Sequence, residues 1–133
     1  YPCYEARFLD LLCRPGTQSY SLLAPDSAEL LGFGQLCDRF GCHHLARLVI
    51  NPEYRGQGLA KTLIFALILQ ALKQQRRDIS LYVHRHNNIA LQCYQSLGFA
   101  VTPAPEQENT RLYFMTLDAN TALAAAEHYF RQL

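Results

Sequence analysis

The sequence has no apolar run long enough to span a bilayer. Residues 63–69 are all apolar, but Gln70 ends the run and Lys73 follows, far short of the roughly 20 residues a spanning helix needs. It has no excess of charge. Twelve Lys and Arg stand against eleven Asp and Glu, a formal net charge of +1, and they are scattered without blocks, so nothing draws the chain to nucleic acid or an anionic membrane. It has no CxxC pair. Cys3, Cys13, Cys37, Cys42 and Cys93 are odd in number and scattered, which reads as reduced thiols in the cytoplasm rather than a disulfide framework. Cys42-His43-His44 is the only cluster of metal-ligand types; with no second pair at ligand spacing it reads as a strand start, and no metal is expected. Repeats and low-complexity tracts are absent. The opening YPCYEARFLDLLCRPG carries acidic residues and no small-residue cleavage pattern, so no secretory leader is expected. The chain starts without Met, as a fragment or a processed chain does.

What is present is globular. Half of the 133 residues are hydrophobic and 17% are charged, which suits one packed domain over 1–133 and excludes disorder. Residues 8–13 suggest a turn or two of helix before Pro15-Gly16. Residues 20–24, 30–36 and 44–50 read as strands, separated by Pro25-Asp26-Ser27 and by a turn over 38–41. Asn51-Pro52 ends the third strand, because proline cannot donate to the ladder. From Gly58 to about Gln75, Leu59, Leu63, Ala66, Leu67 and Ala71 recur at helical spacing, and Ile64, Phe65, Ile68, Leu69 and Leu72 widen the stripe to a helix buried on most sides. A strand over 79–83, a helix over 88–97 closed by Gly98, strands over 99–102 and 111–117, and a helix over 121–133 complete the order. Leu123, Ala126, Phe130 and Leu133 mark the last helix's apolar face, which suits a homodimer contact as well as a core. The early meander and the central strand–helix–strand crossover predict an α/β fold: a mixed, largely antiparallel sheet with a central parallel pair and helices on both faces.

The informative segment is LVINPEYRGQGLAKTL, residues 48–63. A strand ends at Ile50, a turn follows, and Arg55-Gly56-Gln57-Gly58-Leu59-Ala60-Lys61 leads into a helix. Free amides and the positive end of the dipole make a helix start an anion site. Glycines let the backbone approach the anion, and Arg55 and Lys61 add full charges. A Walker A loop, GxxxxGK[ST], fits Lys61-Thr62 but not Ala60 or Arg55. A dinucleotide fingerprint, GxGxxG, fits Gly56 and Gly58 but not Lys61. The pattern [QR]xxGx[GA] is met by Arg55, Gly58 and Ala60, and with it the segment resembles motif A, the acetyl-CoA pyrophosphate loop, of the GNAT superfamily of N-acetyltransferases.

A second segment, LYVHRHNNIALQCYQSLGF, residues 81–99, is similar to motif B of that family at Val83, Asn87, Ala90, Tyr94 and Gly98-Phe99. Asn87 and Tyr94 lie seven residues apart, nearly two helical turns, so they share a face about 10 Å long. Asn87 can cap the helix or bond an amide of the pantetheine arm. Tyr94 can be a core aromatic or can protonate the departing thiolate as a general acid.

The resemblance covers residues 28–117 and implies a GNAT-like fold with acetyl-CoA as co-substrate. In this family the donor's arm pairs like an added strand with the backbone before the loop, here Leu48, Val49 and Ile50. The diphosphate rests on Gly56 through Lys61, and the two central parallel strands splay to admit the arm. The resemblance implies direct attack of a primary amine on the thioester, with backbone N–H near Ile50 polarising the carbonyl. Two departures stand out. The family sets a strand and two helices before the first hairpin; about 19 residues stand here, so one wall of the acceptor groove is short or is completed by a partner. Many relatives carry a Glu on the strand before motif B; Tyr82 stands just before Val83, leaving His84, His86, His44 or a chain of waters as the base. The alternative function is a non-catalytic, CoA-binding regulatory module. A tRNA acceptor fits the near-neutral charge poorly.

Overall fold

The computed structural model describes residues 16–105 and 111–133. The helix expected over 8–13, the short region before the first strand, Cys3 and Cys13 lie outside the described residues. Six strands form one sheet in the order β1-β2-β3-β4-β6-β5: β1 Thr17–Leu23, β2 Leu30–Arg39, β3 Cys42–Ile50, β4 Ile79–His84, β5 Ala100–Thr102 and β6 Leu112–Leu117. Three α-helices follow the predicted order: α1 Leu59–Gln74, α2 Asn88–Leu97 and α3 Ala119–Arg131. All pairings are antiparallel except β3 with β4. The sheet is thus mixed with one central parallel pair, as the element order predicts.

Local chemistry sets the hairpins. β2 and β3 are joined by Phe40 and Gly41 alone, with φ of 59° and 68°. Two left-handed residues give the tight turn whose twist matches the strands. A phenylalanine is unusual there. Its ring is held by edge contacts to His44, Tyr82 and Phe114, at 5.2, 5.9 and 5.4 Å between centroids.

α1 is buried through Leu63, Ile64, Phe65, Ala66, Leu67, Ile68 and Ala71, which explains its wide apolar stripe. It lies close against β2 because Gly32 and Gly34 have no side chains. A Cβ on Gly34 would sit 2.8 Å from Leu67 Cδ1 and 3.0 Å from Leu48 Cδ2. On its other side α1 meets α3. Ala122 and Ala126 are fully buried, Thr62 and Tyr129 share a hydrogen bond between their hydroxyls, and the Phe65 and Tyr129 rings lie 5.0 Å apart. The predicted face of α3 needs correcting. Asp118 caps the helix by accepting from Thr121 N–H, so it begins two residues earlier than the sequence suggests. Ala126 is fully buried as the pattern predicts and Phe130 packs against the core, but the other innermost residue is the small Ala122, and Leu133 lies past the helix end, 78% exposed.

Candidate active site

β3 and β4 pair only from His43–Leu45 to Ile79–Leu81. β4 continues along β6 to His84, and β3 continues along β2 to Ile50. The two strands therefore splay, and from Ala46 onward the β4-facing edge of β3 has no strand partner among the described residues. A bulge accompanies the splay. Phe33 pairs with Val49 and Gln35 with Ala46, so β3 carries one residue more than β2 across this stretch. The bulge takes Arg47 to a φ of 51° and re-aims the strand end, as bulges beside functional sites do.

Asn51 pins the turn after β3. Its Nδ2 donates to Leu30 O at 2.8 Å and its Oδ1 accepts from Glu53 N–H at 3.1 Å. A 3-10 turn over Pro52–Tyr54 follows, then Gly56 and Gly58 at φ of 82° and 75°. A Cβ at either would meet nothing within 4 Å. These glycines answer to backbone conformation rather than crowding, and the space around them is open. α1 starts at Leu59 with Gly58 as its cap and no side chain bonded to its first amides. α2 and α3, by contrast, are capped by Asn87 and Asp118. Among the described α-helices, only α1 leaves its starting N–H groups to another partner.

Those groups stand beside a cleft of about 500 Å³. Of the residues singled out in sequence, Leu48, Ile50, Arg55, Ala60, Asn87 and Tyr94 line it. Val49 does not, because alternation turns its side chain to the other face; it is 51% exposed. Gly56, Gln57, Gly58, Leu59 and Lys61 are not in the wall either; what they bring is backbone N–H along the helix axis and, at Lys61, charge. Ala90, a motif B position, lines it too, and four further wall residues were missed as site residues: Leu63, Ile64, Ile89 and Cys93. Leu63 and Ile64 stand three and four residues after Ala60, and Ala90 and Cys93 share the α2 face with Asn87 and Tyr94. Helical spacing from the motif residues was the signal that reaches them.

Asn87 does act as a cap, its Oδ1 accepting from Ala90 N–H at 3.1 Å. Its amide nitrogen remains for the cleft. Tyr94 packs edge-on against Phe99, 6.2 Å between centroids. Burial raises its pKa above the ordinary 10, so the phenol keeps its proton at neutral pH. Burial likewise raises the Cys93 thiol.

On the other side of the splay lies a second cleft of about 320 Å³ whose wall includes Arg39, His44, Arg47, Tyr82 and Tyr94. Tyr94 thus borders both. Of the histidines considered as bases, only His44 reaches a cleft; His84 and His86 line neither. His43 and His44 point to opposite faces, as neighbours on a strand must. His43 Nε2 bonds Gln75 O at 2.7 Å and His44 Nδ1 bonds Ser80 Oγ at 2.8 Å. That separation breaks up the Cys42-His43-His44 cluster. Among the described residues no three metal-ligating side chains gather.

Burial first, then the charge of Arg39, pushes the His44 pKa from 6.5 down to about 4. The unfolded chain takes up this proton near 6.5 and the folded chain only near 4. Stability should therefore be full above pH 6.5 and decline as pH falls toward 4, by on the order of 3 kcal/mol at 1.36 kcal/mol per unit. Denaturation midpoints at pH 7 and 4.5 measure this. In His44→Gln the decline should shrink; an unchanged decline would assign the acid sensitivity to other groups.

Comparison with known proteins agrees with this geometry. Residues 12–119 match the family described as the acetyltransferase (GNAT) domain. The chloroplastic GCN5-related N-acetyltransferase 2 of Arabidopsis thaliana is 36% identical over 56 residues, covering 42% of this chain and 20% of that protein; the match spans about a fifth of that relative's length. Among solved structures, the PaiA N-acetyltransferase of Thermoplasma acidophilum, in complex with coenzyme A, superposes at a TM-score of 0.65 with 26% identity, over 77% of this chain and 61% of that one. The spermidine N-acetyltransferase of Vibrio cholerae, in complex with CoA and spermine, gives 0.69 at 21% identity over 81% and 69%. The ribosomal-protein-S18-alanine N-acetyltransferase of Escherichia coli gives 0.68 at 20% over 84% and 75%; at these last two identities the likeness is one of fold. The strand splay, the uncapped helix behind a glycine turn and the family match over most of the sequence together make this chain a member of the GNAT acetyltransferase family.

Proposed function

We propose that residues 1–133 form one N-acetyltransferase domain that moves an acetyl group from acetyl-CoA to a primary amine by direct attack. The observation that carries this reading is the uncapped start of α1 beside the larger cleft. Amides there are unsatisfied by any side chain, the glycines ahead of them leave open space, and Arg55 and Lys61 add positive charge. A diphosphate meets each of these features. The same cleft is walled by Leu48 and Ile50 of β3, by Asn87 and Ala90, and by Tyr94. The edge of β3 that pairs with no described strand beyond Leu45 can accept an extended arm as a sheet edge accepts a strand.

Acetyl-CoA supplies an activated acyl carbon. The protein's own groups do the rest. The β3 backbone beyond the bulge holds the carbonyl and polarises it. The second cleft presents the amine from the opposite side. A neutral amine forms the C–N bond as the C–S bond breaks, Tyr94 gives its proton to the sulfur, and the proton released from nitrogen restores the phenol. The free thiols of Cys37, Cys42 and Cys93 support a cytoplasmic setting.

An amine panel with acetyl-CoA, read as free thiol, tests the activity. Saturable acetyl-CoA binding without turnover on any amine would favour the non-catalytic CoA-binding module. Cys93 lines the donor cleft, so acyl transfer through a cysteine needs excluding. Its raised pKa leaves it a neutral thiol, a poor nucleophile. Cys93→Ser is expected to keep turnover within about threefold, whereas passage through an acyl-cysteine would cost several orders of magnitude.

A further inference from the structure

Arginines stand out in the wall of the second cleft. Among its described lining residues, Arg39 and Arg47 carry positive charge and none carries negative charge. His44 stays neutral at physiological pH. Arg39 lies with its guanidinium 4.5 Å from the centre of the Phe40 ring, beside the turn that packs onto His44.

Arg47 is held in place by a built arrangement. Its Nη1 donates to Gln35 Oε1 at 2.9 Å, and Gln35 Nε2 donates to Ser19 Oγ at 3.0 Å. Gln35 and Ser19 are buried, 1% and 2% exposed. An arginine has only donors, so it must meet the amide oxygen, and the amide nitrogen must then face Ser19. This order fixes the glutamine and aims the guanidinium. The bulge places Arg47 in the left-handed region, where a side chain other than glycine, asparagine or aspartate is uncommon. Strain of this kind persists where a site requires it.

We propose that the second cleft selects an amine bearing an anionic group, a carboxylate or a phosphate, which the Arg47 fork binds. This rests on the acetyltransferase reading above and names its acceptor class. A guanidinium with one N–H committed to Gln35 still offers N–H pairs that match an oxyanion bidentately. The Arg47 charge also helps the chemistry. Nearby cations disfavour the ammonium form of an amine, so more of the acceptor is present as the nucleophile without a carboxylate base. A polyamine brings several positive charges and meets repulsion instead, in contrast to the Vibrio cholerae relative crystallised with spermine.

The test is calorimetric binding to the full chain saturated with CoA. The probes are two matched pairs, glycine with glycinamide and O-phosphoethanolamine with ethanolamine, and spermidine. At least one anionic amine is expected to bind ten times or more tighter than its neutral partner, with spermidine weakest. Which pair shows the preference distinguishes carboxylate from phosphate. Arg47→Asn removes the charge but keeps a residue tolerant of the left-handed conformation, and should bring the pair within about twofold. Arg47→Gly, at ease in the same conformation, guards against a folding defect. Equal binding within both pairs, tightest binding of spermidine, no binding of either anionic amine, or a preference that survives in both variants would overturn the proposal. Thiol release with acetyl-CoA is read separately. A retained anion preference without turnover would sink acetyl transfer and leave the anion site standing.

Discussion

Gly58→Asp should weaken binding of acetyl-CoA by about 100-fold while the protein stays folded. Gly58 caps α1 at a φ of 75°, and a Cβ there would meet nothing within 4 Å. Aspartate is among the residues that tolerate this conformation, so the fold should survive with a loss of about 1 kcal/mol. The bound diphosphate is another matter. A carboxylate about 5 Å from a phosphate charge costs roughly 3 kcal/mol at an effective dielectric of 20, and it also competes for the amides that hold the anion. Gly58→Asn is the control. It has nearly the same shape and backbone demand without the charge, and its loss should be much smaller. Calorimetric Kd values for CoA in the three proteins separate the terms. Equal affinity in Gly58→Asp would mean that the diphosphate rests elsewhere.

The second large effect is on turnover. Tyr94→Phe should lower kcat by about 100-fold, within the range ordinary for loss of a general acid, and change the Kd of acetyl-CoA by no more than about threefold. Tyr94 borders both clefts, where the thioester and the amine would meet. Phenylalanine keeps the ring contact with Phe99 and removes only the proton donor. Burial holds the phenol protonated above the ordinary pKa of 10, so no alkaline limb from Tyr94 should be seen below about pH 9. A thioester with a more acidic thiol needs less help in leaving, and should narrow the gap between Tyr94→Phe and the parent. An unchanged kcat would remove Tyr94 from the acid role.

Local signals carried most of the fold. Proline, glycine and asparagine marked the turns, and apolar periods marked α1 and the strands. The last helix was misplaced because its cap, Asp118, acts through a hydrogen bond to Thr121 N–H that spacing alone does not announce. The core face then took in Ala122 beside the expected Ala126, and the small size of both lets α3 approach α1. Pattern reading favours the larger Leu123 and Leu133, although the interface requires small residues.

The donor side of the site was equally legible. A glycine turn into a helix is local, and Asn87 with Tyr94 is a single helical face, so sequence distance translates directly into space. Sequence by itself determined the order of elements, the loop at the start of α1 and the pairing of Asn87 with Tyr94, because apolar periodicity, turn residues and helical spacing are all local properties of the chain. Tertiary structure alone decided the rest. It set where β3 and β4 part, which of the candidate bases borders the second cleft, and that Arg47, Gln35 and Ser19 line up across three strands. Those facts depend on strand register and on a one-residue bulge, and register is settled only when distant segments pack together.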